Sequence, residues 1–184
     1  MTFSYRILDG ELAYTGAELR SGFVRERGGV EGDAAVGFVG PCHVPNENLV
    51  DLDDARAGGF IRAATMAHVI AEHACGLEVA VLRQRLLVAL LGETLAERAK
   101  LARRDGDDLY YEDRKLTVSI AAPSRSSCVI HLGINIDPAG APVPAVGLAE
   151  LGLEPRALLG ELLARYRHEL ETAAHAQTKV RTVL

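Results

Sequence analysis

The chain has 184 residues, 48% of them hydrophobic and 24% charged, enough for one domain (1–184) around a real core and too apolar for a disordered protein. A formal charge of −5 at pH 7 argues against general nucleic-acid binding as the main activity. With 5% aromatic residues and no Trp, that core must be built from Leu, Val, Ile and Ala.

Thr2 to Leu8 alternates and predicts a first strand. Thr15 and Glu18 have capping-box spacing, so a short helix is expected through about Arg27, closed by Gly28-Gly29. Arg25 and Arg27 beside those glycines could cradle an anion, although a flexible turn is the preferred reading, since a glycine pair is weak evidence. Ala34 to Val39 reads as a buried strand running into Gly40-Pro41-Cys42-His43. Cys42 and His43 suggest a nucleophile or a ligand pair, but neighbours on an extended chain point opposite ways. In NENLVDLDD, Asp53 and Asp54 are expected as helix caps, with Mg²⁺ ligation as the sharper alternative. Gly58 to Ala74 reads as a helix with an alanine-rich stripe; His68 and Glu72 share one face at metal-ligand spacing, but with no third ligand in register they are expected to form a polar helix face. A second helix is expected over Leu82 to Leu95, where leucines repeat at helical intervals. Arg83, Gln84 and Arg85 lie at its start, where the helix dipole disfavours cations unless carboxylates or an anionic ligand answer them.

Ala99 to Arg104 is expected to be a strand leading into a hairpin that turns at Glu112 to Arg114. Beyond it, Lys115, Thr117 and Ser119 alternate with Leu116, Val118 and Ile120. A second alternating run sets Cys128, Ile130, Leu132, Ile134 and Ile136 against Val129, His131, Gly133 and Asn135. Pairing the two through their apolar faces would gather Lys115, Thr117, Ser119, His131 and Asn135 on one surface. That surface is either a wet face or a pocket floor, with Gly133 leaving room near the backbone. A one-residue bulge would turn part of the set over. A proline- and glycine-rich loop follows, then a helix opened by Glu154-Pro155 with Leu158, Leu159, Leu162, Leu163, Tyr166 and Leu170 as its stripe. Gln177 to Leu184 is a last strand or a loose end. Cys42, Cys75 and Cys128 are isolated and expected as free thiols of a reducing cytoplasm. No signal peptide and no membrane span are expected.

Gly106-Asp107-Asp108-Leu109, the hairpin, Lys115-Leu116 and the strand ending Gly133-Ile134-Asn135 resemble the catalytic core of biotin protein ligases. Those enzymes carry a basic residue, Pro-Asn-Asp-Leu, a short hairpin, Lys-Leu-Ala-Gly-Ile-Leu and a later Gly-Ile-Asn. Asp108 matches their Asp, Lys115 their active-site lysine, and Arg104 stands at their basic residue. Gly106-Asp107 replaces Pro-Asn, and Thr117-Val118 replaces Ala-Gly. The wider pattern is similar to the domain-of-unknown-function family 366, through Gly40-Pro41-Cys42, Asp51 to Asp54, Arg83 to Leu87, Gly106 to Leu109, Lys115 to Ala121 and Ile130 to Asn135.

The resemblance implies an α/β (α+β) fold like that of biotin and lipoate ligases, with a mixed, mostly antiparallel sheet and helices largely on one face. It implies binding of a nucleotide or acyl-adenylate, with ATP and Mg²⁺ as cofactors, and transfer of an acyl group. Lys115 would be catalytic, Asp107 and Asp108 would hold the metal, and Arg104, Thr117, Ser119, His131, Gly133 and Asn135 would meet substrate. Lys115→Ala is expected to spare folding. The partners would be a small carboxylate or nucleotide, an acceptor protein and a second copy of the chain. Two other readings stay open: a non-catalytic ligand-binding module, and a metal-dependent hydrolase using Asp107, Asp108 and His131.

Overall fold

The structure, a computed structural model, describes residues 3–183. Its frame is a five-stranded sheet in the order β1 (Ser4–Glu11), β2 (Ala34–Val44), β3 (Ile61–His73), β8 (Cys128–Asp137), β7 (Thr117–Pro123). β1 runs parallel to β2 and every other pair is antiparallel, the mixed, mostly antiparallel sheet that the sequence predicts. A three-stranded ribbon, β4 (Arg103–Asp105), β5 (Asp108–Tyr111) and β6 (Arg114–Lys115), stands beside it. Its hairpin turns at Glu112 and Asp113, both left-handed with φ of 49° and 60°, the backbone of a tight primed turn.

The segment 58–74 is the main departure. It is not a helix but β3, paired with β2 from Ala34↔Glu72 to Val44↔Ile61 and with β8 from Thr65↔Asp137 to His73↔Cys128. Alanines suggested a helix because Ala has the best helix propensity and its spacing here mimics a 3.6 period. In the middle of a sheet covered on both faces, the same small side chains serve another end. Ala67, Val69 and Ala71 pack under the helices, while Met66 and Ile70 face the opposite layer. With both faces buried, the strand shows no alternation to read.

Helices α3 (Leu77–Ala96) and α5 (Pro155–Thr178) cover one face of the sheet. Their leucine stripes are the predicted ones, except that Leu82 is exposed. Glu154 caps α5 by accepting from the backbone N–H groups of Arg156 and Ala157. Gly37 of β2 is crowded from both β1 and α5: a Cβ there would lie 2.7 Å from Ile7 of β1 and 3.4 Å from Leu163 of α5. The first strand begins at Ser4, and Thr2 lies outside the described residues. Gln177 and Thr178 continue α5 instead of forming a strand, and Leu184 lies outside the description.

The other face is covered only in part. Tyr14, Phe23 and Val24, from the segment between β1 and β2, pack on Val36, Phe38 and Ile70. The capping interaction of Thr15 with Glu18 forms, at 2.8 Å to the backbone N–H. Left-handed Gly16 and Gly22 nevertheless break the chain, and the helix α1 covers only Phe23–Gly28. The strand expected over 99–104 starts late, at Arg103, because Ala99 is left-handed as well. Two short helices remain: α2 (Leu52–Arg56) precedes β3, and α4 (Leu148–Leu151) follows β8. Among the described residues no helix is long and apolar enough to cross a membrane.

Candidate functional site

Where the second layer stops, the sheet is left open over β3, β8 and β7, and a cleft of about 610 Å³ forms there. That volume falls in the range of small-molecule sites. Met66 of β3, Val118 of β7, and His131 and Asn135 of β8 contribute sheet side chains. Asp51, Asp54 and Phe60 come from the approach to β3, Arg62 from its start, and Asp107, Asp108 and Lys115 from the ribbon. Asp51 is the N-cap of α2, accepting from the N–H groups of Asp53 and Asp54, a role the sequence reading gave to its two neighbours.

Lys115 enters this cleft because the chain changes sheets beside it. Its N–H donates to the carbonyl of Pro144, and its carbonyl accepts from Val146 N–H. One residue on, Leu116 is fully buried under the helices, and β7 begins at Thr117. The ammonium lies 2.8 Å from the Asp108 carboxylate, both side chains about a quarter exposed (26% and 22%). Burial pushes the Asp108 carboxyl up, Lys115 pulls it down, and Asp107 and Asp54 push it further up. Asp107 is held from α3, accepting from Gln84 at 2.9 Å and pairing with Arg85 at 3.4 Å. α3 begins at Leu77, five residues before the expected start, so Arg83 to Arg85 lie past its first turn and escape the unfavourable end of the dipole; Arg85 still meets a carboxylate, that of Asp107.

The predicted polar surface is divided between the two faces. Thr117 pairs with Ile134 and Ser119 with Leu132, so both hydroxyls lie on the helix side. Thr117 is completely buried and accepts from Leu109 N–H at 2.8 Å. The Ser119 hydroxyl accepts from Gln84 and donates to the Asp107 carbonyl, although the residue still touches the cleft. His131 and Asn135 occupy the cleft face beside Val118 and Ile120. The pairing is the reverse of the expected one because β8 is buried on both faces and β7 is half-buried on both, so hydrophobicity did not choose between them. Gly133 lies on the cleft face, but the space above it is filled: a Cβ there would come within 2.8 Å of Met66 and 3.2 Å of Val118. Arg104 is exposed and donates to the Gly106 carbonyl within its own turn, away from the cleft lining.

The side chain that sequence reasoning misplaced is His68. On β3 instead of a helix, it lies beside His131, Nδ1 to Nε2 at 3.1 Å, and its own Nε2 is 3.3 Å from the carbonyl of Gly40. Tyr14 stacks on His131 at 3.8 Å and Phe38 on His68 at 4.8 Å. Burial pulls the His68 pKa down to about 4 and that of His131 well below its usual value. Both rings are therefore neutral at pH 7. The signal was present as the His68–Glu72 spacing, but a helical period sent it to the wrong partners. Glu72 accepts from Ser21, Gly22 and Ser127 instead.

Asp107, Asp108 and His131 each have a different partner. Among the described residues no group of three or more His, Cys, Asp or Glu is placed to hold a metal. A magnesium ion on a nucleotide asks for less, one or two carboxylates with phosphate oxygens completing its shell. Asp108 and its neighbour Asp54 fit that requirement better than Asp107, which α3 already engages. Cys42 is buried and His43 exposed, on opposite sides of β2.

Comparison with known proteins gives the same architecture. A protein of unknown function from Pyrococcus horikoshi superimposes with a TM-score of 0.94 at 34% identity, covering 100% of both chains. The biotin protein ligase of Aquifex aeolicus, solved with biotin and ATP, matches with a TM-score of 0.56 at 14% identity, over 92% of this chain and 69% of its own. Protein Ta0514 of T. acidophilum, solved with lipoic acid, matches with 0.56 at 13%, over 91% and 86%. The two distant likenesses establish a biotin/lipoate-ligase-like fold. The family model described as a domain of unknown function (DUF366) matches residues 3–181, and the chain belongs to that family.

Proposed function

We propose that the cleft binds a small carboxylic acid and activates it with a nucleotide, in the manner of an adenylate-forming ligase. The observation that carries this reading is Lys115. Its ammonium lies in the wall of the cleft, held by Asp108, in a chain whose fold is that of proteins solved with biotin, ATP or lipoic acid. In activation the acid's carboxylate oxygen attacks the α-phosphorus of ATP, and pyrophosphate leaves. A fixed ammonium beside those oxygens stabilises the charge that develops on them. Asp108 positions it. Magnesium would supply neutralisation of the phosphates, and Asp54 and Asp108, which both line the cleft, are the carboxylates that would hold it. Exposed Val50, Phe60 and Val143 line the same cleft and offer an apolar rim to an acceptor protein.

The test is acid-dependent exchange of labelled pyrophosphate into ATP, with a panel of small carboxylic acids that includes biotin and lipoic acid. Exchange with one acid, lost in Lys115→Met, supports the proposal. The charge balance of the cleft favours a second reading, binding without chemistry. Its lining carries Asp51, Asp54, Asp107 and Asp108 against Arg62 and Lys115 alone. Saturable binding of an acid with no exchange in the presence of Mg²⁺ would establish that reading and remove the first.

A further inference from the structure

The floor of the cleft contains a chain of polar atoms whose protons can be placed from the heavy atoms alone. It starts at the carbonyl of Gly40, which can only accept. The His68 nitrogen facing it, Nε2 at 3.3 Å, must therefore carry the ring proton. Neutral His68 then has a bare Nδ1, and this is the atom 3.1 Å from Nε2 of His131. Two lone pairs at that distance repel, so His131 Nε2 carries its proton as well. His131 is left with a bare Nδ1. The opposite assignment at any step would aim a lone pair at a carbonyl or at another lone pair, with both rings almost fully buried (0% and 2% exposed).

That last nitrogen faces the ligand space. His131 lines the cleft, its Nε2 is committed to His68, and Tyr14 covers one face of the ring at 3.8 Å and 11°. Among the described residues no group bonds Nδ1. Yet among the described residues no fully enclosed side-chain nitrogen or oxygen lacks a partner, so Nδ1 opens to the cleft. A polar atom on a side chain this buried, fixed in orientation and left unpaired, calls for a partner from outside the chain.

We infer that His131 is a specificity-determining residue whose bare Nδ1 accepts a hydrogen bond from the ligand, so that the substrate is a carboxylic acid whose other end carries an N–H or O–H donor. This rests on the reading of the cleft as a carboxylic-acid site. It narrows that reading by excluding acids with a plain hydrocarbon tail. An acceptor fixed by a backbone carbonyl two rings away cannot switch to donating, unlike a serine or an isolated imidazole. A ligand without a donor would leave Nδ1 desolvated and unpaired, the kind of mismatch on which polar sites discriminate most strongly.

The experiment is long-range ¹H–¹⁵N correlation NMR on the full chain with ¹⁵N-histidine. The six histidines are separated by replacing exposed His43, His168 and His175 with Gln one at a time, which leaves His68, His73 and His131. The expected spectrum has His68 and His131 both protonated at Nε2; His73, whose Nδ1 faces the Asp33 carboxylate at 3.2 Å and the Arg83 guanidinium at 2.8 Å, is the buried ring that neither probe moves. Titration with 2-pyrrolidinone, a small ring with one N–H, should move the bare His131 Nδ1 resonance upfield. N-Methylpyrrolidinone, which has the same ring and no donor, should leave it in place. A proton on His131 Nδ1, an equal response to both rings, or no response to either would overturn the inference. The carboxylic-acid reading fails separately. Pyrophosphate exchange with a donor-free acid such as octanoic acid would keep that reading and refute this one. Absence of exchange and of binding for every acid, with the Nδ1 response intact, would do the reverse.

Discussion

Replacing Lys115 with Met keeps an unbranched stem and removes the cation, which isolates the contribution of the Lys115–Asp108 pair. The pair is 2.8 Å long and its side chains are 26% and 22% exposed, so it lies between two known limits. Removing one partner of an exposed pair costs about 0–1 kcal/mol, and of a fully buried pair about 3–5 kcal/mol. A loss of about 2 kcal/mol at neutral pH follows, or a fall in Tm of about 4–8 °C for a domain of this size. This differs from the expectation that a polar-face lysine is dispensable for folding. The pH dependence identifies the cause. Burial already raises Asp108 above its unfolded value, and without Lys115 it rises further. A carboxyl with a raised folded pKa binds its proton more tightly folded than unfolded. The deficit is therefore fullest once both states are ionised, and it closes as the pH is lowered toward about 4, where both become protonated. Asp108→Asn added to Lys115→Met should recover most of the loss at pH 7. Chemical denaturation of the four proteins of this cycle at pH 5 and pH 8 provides the measurement. A Lys115→Met deficit equal at the two pH values, or one that Asp108→Asn fails to rescue, would refute the ion-pair account.

Two other groups give separate predictions. Asp33 accepts from His73, Ala74 N–H and Arg83 at the end of β3, and these partners, His73 foremost, hold its carboxyl well below the usual range against the cost of burial. Its stabilisation should be fully present above about pH 4 and disappear as the pH falls through the depressed folded value. Asp33→Ala should thus cost about 3–5 kcal/mol at pH 7 and much less in acid, as thermal melts across pH will report. Burial pushes the Cys42 thiol up to about 12, while Cys75 is only partly covered. Maleimide at pH 7 should modify Cys75 first and leave Cys42 unreacted in the native chain. All three thiols should react in denaturant, and fewer than three there would mean a disulfide.

What the sequence disclosed follows from which patterns depend on local physics. The turn at Glu112-Asp113, the Glu154 cap and the stripes of α3 and α5 depend on residues within a few positions of one another, and all were legible. The identity of β3 was not, because two layers bury it and alanine fits a close-packed sheet as well as a helix. The division of β7 and β8 was half legible. Period two correctly set His131 and Asn135 together, and Thr117 with Ser119. Which set faced the cleft depended on the passage from ribbon to sheet at Leu116, and no alternation pattern encodes that step. Lys115 was placed with Thr117 by counting in twos, and the change of sheets at Leu116 separates them. His68 became meaningful only once β3 was known to lie beside β8.

Polar residues on a doubly buried sheet can be sorted by how much of their hydrogen-bonding capacity the protein itself uses. Thr117 and Ser119 are satisfied by Leu109, Gln84 and Asp107, and these bonds tie β7 to the ribbon and to α3. Their task is structural. Asn135 donates from Nδ2 to the carbonyl of Lys115 at 3.1 Å, which fixes the amide and leaves its Oδ1 available at the cleft. Among the described residues His131 is bonded at Nε2 only. Two residues of β8 thus have one side chain atom anchored and another turned toward the same space, and the backbone that Asn135 anchors is that of Lys115. A change at Asn135 would therefore act on ligand contacts and on the lysine together, while a change at Thr117 would act on the fold. The unused capacity, more than the polarity, separates His131 and Asn135, which line the cleft, from Thr117 and Ser119, whose hydroxyls are bonded within the fold.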